Sequence, residues 1–225
     1  MRRFIVLGLG HFGFNVAKKL FENGKEVIAI DIDRNVVQSI KEFATQAIVA
    51  DASDKDVLES VGAKDADVAV ISLGDRLDTN ILATFYLKEM GVTEIVAKVL
   101  TEDHAKVLKT IGATDVIFPD RDMAIRLAER LSNPNVLDQI EFMEGYSVVE
   151  IEAPPIFYGI TLEEAKIRNK YELTVVLIKR GSDQVLIAPK AEDKIEMNDV
   201  LVLLGEDSKI ESFKEIAYKN GKKSE

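Results

Sequence analysis

The residues best placed to do chemistry are Gly8-Leu9-Gly10-His11-Phe12-Gly13 and, eighteen positions after the last glycine, Asp31. A Gly-x-Gly-x-x-Gly run is common, and its meaning comes from context. Here an apolar strand pattern, Arg3 to Leu7, feeds it and a helical pattern leaves it. Gly8 then permits a tight turn, Gly10 lets a pyrophosphate approach bare amides, and Gly13 lets the helix pack closely on the strand. A helix N-terminus offers unpaired N–H groups and about half a positive charge to phosphates. Asp31, closing the next strand pattern, is positioned to accept hydrogen bonds from ribose 2′- and 3′-hydroxyls. The same carboxylate repels a 2′-phosphate by about 4 kcal/mol at roughly 4 Å and an effective dielectric near 20, which Arg34 offsets in part. The expected chemistry is binding of NAD(H) or an adenine nucleotide rather than NADP. The competing reading is a glycine turn with no ligand.

Ligands of parallel α/β sheets sit beyond the carboxyl ends of the strands. That rule adds Ile32, Asp33 and Arg34 after the second strand, Asp51-Ala52-Ser53 after the third and Leu73-Gly74-Asp75 after the fourth. It also adds Lys98 at the fifth strand and Asp120 after the sixth. Ser53 and Asp75 read equally well as helix N-caps, and Asp33 more simply caps the helix that follows it.

Catalysis is poorly signalled. A dehydrogenase needs an acid–base group beside the nicotinamide. His11 lies inside the phosphate loop, His104 follows Glu102-Asp103 at a helix start where exposure is expected, and nothing near Lys98 marks it as activated. The chain has no cysteine, which excludes thiolate nucleophiles, disulfides and cysteine-based metal sites, and only two histidines. Neither catalytic residues nor a metal site is therefore expected. An NAD-dependent oxidoreductase stays as the alternative, and a redox-sensing transcription regulator as the next, although no basic reader helix is visible for it.

The elements that must hold these residues alternate. Strand patterns at residues 3–7, 25–30, 47–50, 67–73, 94–99 and 115–118 are separated by helical patterns at 12–23, 34–43, 55–61, 77–90 and 102–111. Such alternation implies a Rossmann-type, doubly wound parallel sheet with helices on both faces. A further helix at 123–131 is broken by Ser132-Asn133-Pro134-Asn135. Beyond about Tyr146 the texture becomes that of a small α+β domain. It has strands at 147–153, 173–179, 184–188 and 200–204, a hairpin turn at Gly181-Ser182-Asp183, and helices at 162–168 and 208–217.

The formal net charge of −10 disfavours nucleic acid and anionic lipid as partners. No apolar run approaches the roughly 18 residues of a membrane span. The N-terminus runs straight into a strand, which argues against a cleavable signal, and the basic run from Lys219 to Lys223 reads as a solvated tail.

Several separated segments carry a resemblance. They are the glycine run with Asp31-Ile32-Asp33, Lys106 through Ala113 followed by Asp115-Val116-Ile117-Phe118-Pro119, and Ser132 through Leu137. Lys170-Tyr171 through Ile178-Lys179, with Pro189, Glu192-Asp193 and Asp199, adds a further stretch. Together they resemble the RCK (KTN) family, the TrkA/KtrA-type cytosolic regulatory subunits of bacterial potassium-uptake systems, over nearly the whole chain. The resemblance implies a TrkA-N lobe at 1–133, a crossover linker at 134–146 and a TrkA-C lobe at 147–225. It implies ATP, ADP or NAD(H) in the Rossmann cleft, and homodimers assembling into an octameric ring under a membrane-embedded potassium-translocating subunit. The chain would then lie in the cytoplasm at the inner face of the plasma membrane. It also implies cyclic di-AMP in the second lobe, with Arg168, Asn169 and Tyr171 contributing. Two positions depart from the family pattern: His11 stands where arginine is frequent, and Asp120 where glutamate is frequent.

Overall fold

The computed structural model describes residues 2–74, 76–132, 136–181 and 183–221, with the side chains of 129–130 and 216–221 excepted. Asp75, the Asn133–Asn135 break, Ser182 in the hairpin turn and the end of the basic tail fall outside these. The chain divides into two compact units, Met1–Asp122 and Met123–Glu225.

The first unit alternates as its sequence does. Its strands are β1 (Arg3–Leu7), β2 (Glu26–Asp31), β3 (Gln46–Val49), β4 (Val68–Ile71), β5 (Glu94–Lys98) and β6 (Asp115–Ile117). Its helices are α1 (His11–Glu22), α2 (Arg34–Ile40), α3 (Lys55–Ser60), α4 (Leu77–Glu89) and α5 (Glu102–Ile111), with α6 (Pro119–Ser132) running out of it. Among the described residues the strands form one parallel sheet in the order β3-β2-β1-β4-β5-β6. Period-two alternation builds a core on each face. Ile5, Leu7, Ile28, Ile30, Ala69 and Ile71 belong to one, and Phe4, Val6, Val27, Ala29, Val68 and Val70 to the other. Strands buried on both faces read as unbroken apolar runs, which is why these were easy to find. The strand order reverses between β1 and β4, the switch point at which such sheets open a crevice at their carboxyl edge.

The second unit holds β7 (Val136–Met143), β8 (Tyr146–Glu152), β9 (Thr174–Arg180), β10 (Gln184–Ile187) and β11 (Val200–Glu206), with α7 (Leu162–Ala165), α8 (Ile167–Tyr171) and α9 (Asp207–Gly221). The strands pair antiparallel in the order β10-β9-β11-β8-β7. Residues 136–143 depart from the expectation of connecting chain, since β7 is a full strand joined to β8 by a turn at Glu144-Gly145, where Gly145 has φ 79°. Register shifts on both sides of the Asp138–Glu141 stretch break the strict alternation that would have marked it as a strand. Asp199, fully buried, accepts two hydrogen bonds from Arg180 at 2.9 Å and one from the Glu196 amide at 2.8 Å. Among the described residues no helix is long and apolar enough to cross a membrane.

Candidate functional site

Each glycine of the first loop occupies a distinct environment. Gly8 has φ +87°, and a Cβ there would lie 2.2 Å from the Ser72 carbonyl oxygen, so both the turn and the approach to β4 require glycine. A Cβ on Gly13 would lie 1.9 Å from the Gly8 carbonyl oxygen, which is the close packing of α1 on its loop. Gly10 differs. Its φ is −59°, and a Cβ there would meet nothing within 4 Å. It is the N-cap of α1 and makes no side-chain cap. The first intrahelical bond runs from Phe14 N–H to the Gly10 carbonyl at 2.9 Å, so the amides of residues 11–13 have no acceptor within the helix. Bare backbone, open space and the positive end of a twelve-residue helix coincide at Gly10.

Asp31 ends β2 beside this loop. Its Oδ2 accepts the Leu9 amide at 2.6 Å and its Oδ1 accepts the Asp33 amide at 2.8 Å. Two backbone donors fix the carboxylate, and each oxygen keeps a lone pair for a further donor such as a sugar hydroxyl. Asp33 caps α2 by accepting the Asn35 amide at 2.8 Å, and Arg34 is the exposed first residue of that helix.

A cleft of about 190 Å³ collects Gly8, Asp31, Ile32, Asp51, Ala52 and Leu73 from four strand ends. It is smaller than the roughly 300–1,000 Å³ of a pocket enclosing a whole ligand, and so suits a nucleoside whose phosphates lie outside, over the loop. Ile32 is 69% exposed, an apolar side chain held at the lip of a polar cleft. Leu9, Gly10 and His11 line a separate depression with Asn15 and Ser39, where Asn15 donates to the His11 carbonyl at 2.7 Å. A third group brings Lys98 to Asp120, 2.8 Å apart, with the Lys98 ammonium 6.0 Å from the centre of the Phe12 ring.

Asp51 lines the same cleft as Asp31. Its Oδ1 accepts both the Ser53 amide at 2.9 Å and the Ser53 hydroxyl at 2.6 Å. The hydroxyl bond, then the amide bond, then the nearby Arg76 charge hold its carboxyl below the ordinary carboxylate range. Ser53 is not the N-cap of α3; Asp54 is, accepting the Asp56 amide at 2.9 Å. Gly74, at φ +74°, offers its carbonyl to Asn80 Nδ2 at 3.1 Å, and Asn80 also holds the Arg76 carbonyl at 2.8 Å.

Arg76 lines the Asp31–Asp51 cleft together with Ser72 and Thr79, and the sequence reading missed all three. Ser72 and Thr79 belong to a strand end and a buried helix face, and only the strand order puts them at the cleft. Arg76 pairs with Asp78 at 3.2 Å. His104 is half-buried in the first turn of α5, its amide held by the Thr101 hydroxyl at 3.2 Å.

In the second unit a groove runs past Glu163, Lys166, Arg168, Asn169, Thr174 and Pro189. Tyr171 does not join Arg168 and Asn169 there. It is 9% exposed and packs edge-on against Phe213, ring centroids 5.1 Å apart, so its position on the inward side of the short α8 corrects the expected ligand role.

Two family models match this chain, the TrkA-N domain over residues 4–119 and the TrkA-C domain over residues 146–217. The Ktr system potassium uptake protein C of Bacillus subtilis (strain 168) is 39% identical over 212 residues, covering 94% of this chain and 96% of that protein. Ktr system potassium uptake protein A is 34% identical in the same organism, covering 94% and 95%. Its namesake in Vibrio alginolyticus is 32% identical, covering 93% and 94%. Among solved structures, the GsuK RCK domain superposes with a TM-score of 0.51 at 22% identity, over 96% of this chain and 46% of that one. The GsuK channel bound to NAD gives 0.53 at 21%, over 96% and 38%. The chain thus spans under half of each of these structures, and at such identity the likeness speaks to fold.

Proposed function

Since the chain belongs to the TrkA-N/TrkA-C family, to which the Ktr potassium uptake proteins A and C belong, we propose that it is a nucleotide-binding gating subunit of a Ktr/Trk-type potassium transporter. The observation that carries the reading is the pairing of an open Gly10 at the N-terminus of α1 with an Asp31 carboxylate already oriented by two amides. A diphosphate would take the free amides of α1 and a ribose the remaining lone pairs of Asp31. The ligand class is ATP, ADP or NAD(H). Lys98 and Asp120, paired at 2.8 Å, would meet the distal part of such a ligand, and Arg168 and Asn169 would contribute to a second, cyclic di-AMP site.

The chain's role is binding, not catalysis. It would act in the cytoplasm as a homodimer within an octameric ring, against a membrane-embedded potassium-translocating subunit. A ligand moves such a ring only through unequal affinity for two conformations. A tenfold preference supplies about 1.4 kcal/mol per site, and roughly 11 kcal/mol over an octamer.

Titration calorimetry with ATP, ADP, NADH and NAD⁺ tests the site. Asp31→Ala should weaken binding of each about tenfold or more, because hydrogen bonds to a charged acceptor are lost. Equal affinity in the variant would remove the assigned pocket.

A further inference from the structure

The edge strand β7 pairs with β8 in a register that its own turn does not favour. Beside the turn at Glu144-Gly145, Met143 faces Tyr146. Continued without interruption, that pairing would set Phe142 opposite Ser147 and Ile140 opposite Val149. Instead the register shifts between Glu141 and Met143, so that Glu141 faces Ser147, Ile140 faces Val148 and Gln139 faces Val149. Directly opposed residues of an antiparallel pair lie on one face of the sheet. Ser147, Val149 and Ile151 are the buried residues of β8, and Val149 and Ile151 share a core with Ile210 and Phe213 of α9. The observed register therefore gives the α9 face to the polar Gln139 and Glu141 and leaves Ile140 and Phe142 exposed. Hydrophobic patterning, which sets the register of most half-buried strands, favours the other arrangement here.

A buried ammonium opposes it. Lys214 of α9 is 4% exposed, and its Nζ donates to Gln139 Oε1 at 2.7 Å and to Glu211 Oε1 at 2.5 Å. Gln139 Nε2 in turn donates to the Ser147 hydroxyl at 3.3 Å. An ammonium can only donate, and taking away an acceptor leaves its charge buried with less to balance it. A one-residue slip would put Ile140 where Gln139 stands, and Lys214 would meet an apolar side chain. The turn itself is tied to the start of α9, where the Asp207 amide donates to the Gly145 carbonyl at 3.0 Å. The strand can thus slip by moving its bulge while the turn stays in place.

We infer that Lys214 is a register latch: its bond to Gln139 holds the bulge beside Phe142 and keeps β7 out of the pairing that its turn and its apolar residues favour. The inference stands apart from the nucleotide-binding reading. The latched strand also matters to its surroundings, because Val136 to Gln139 line a groove of about 270 Å³ with Met123, Arg126 and Leu127 of α6. A slip re-presents that wall to the helix.

The chain has no cysteine, so an introduced disulfide reports the register without background. With Val148→Cys as the common partner, Ile140→Cys reports the observed pairing and Glu141→Cys the slipped one. Opposed residues on neighbouring strands lie within reach of a disulfide. Both pairs are placed in the full chain and in Lys214→Met, which keeps the buried stem and removes the charge. With Lys214 present, the 140/148 pair should oxidise about tenfold or more faster than the 141/148 pair. In Lys214→Met that ratio should fall to within about threefold or invert. Hydrogen exchange in β9 and β11 should stay as in the wild type, since an apolar side chain in place of a buried charge is often neutral for stability. A ratio that Lys214→Met leaves unchanged, or no preference for the 140/148 pair with Lys214 present, overturns the latch. If Lys214→Met does not fold, Gln139 carries the test. Gln139→Glu keeps an acceptor for Lys214 and should hold the wild-type ratio, whereas Gln139→Ala removes it and should lose the ratio. The same ratio in both variants would overturn the latch as well.

Discussion

Ser53 sets the chemistry of Asp51 more than burial does, because both of its donors reach a carboxylate that is itself exposed. The consequence is a folded-state pKa below the unfolded one. The stability this contributes is complete above the unfolded value, about 3.9 for aspartate, and is lost as the pH falls through the lower folded value. Ser53→Ala removes the largest cause. The Asp51 titration, followed by carboxyl-carbon NMR, should move upward toward the ordinary range, and the same midpoint in both proteins would refute this account. Asp31 and Asp51 were legible because one closes and the other closely follows a strand in an alternating pattern. Arg76 was not, since a lone cation before a helix carries no spacing signal and only folding brings it to the cleft. Tyr171 misled for the opposite reason. Its neighbours Arg168 and Asn169 are exposed, and over a single short helix the sequence does not say which way the ring turns.

Among elements, α1 and its loop make the sharpest demand on sequence. Gly10→Ala and Gly13→Ala look alike on paper and should behave oppositely. A methyl at position 13 collides with the Gly8 carbonyl, 1.9 Å away, whereas one at position 10 enters open space at an ordinary φ of −59°. Gly13→Ala should cost about 3 kcal/mol, read by urea denaturation, and should take nucleotide binding with it. Gly10→Ala should leave the denaturation midpoint in place and weaken phosphate-bearing ligands alone, adenosine being the control. Matching midpoints for the two variants would show that the loop is looser than described. The parallel strands were readable because continuous apolar runs and glycine stops are local signals. The β7 strand was hidden by two register shifts and by the polar pair Asp138-Gln139, which interrupts apolar alternation along it. Its turn, Glu144-Gly145, was the signal available in the sequence.

For the molecule as a whole, the informative property is the strand order. It reverses between β1 and β4, and this places Gly8, Asp31, Asp51 and Leu73 around one crevice although they span 66 positions of chain. Alternation in the sequence implied that such an order exists, but not which side chains it assembles. The proposed gating role requires more than one copy. Multi-angle light scattering at micromolar concentration should give a mass that is an even multiple of 25.0 kDa, and a mass of one chain would refute the ring. A last consequence concerns Asp31, which ties the glycine turn to the start of the α2 loop through the Leu9 and Asp33 amides. It is a strut as well as a handhold for sugar. Truncating it removes a contact and also slackens two turns at once, so the affinity lost on truncation is an upper bound on what the handhold alone is worth.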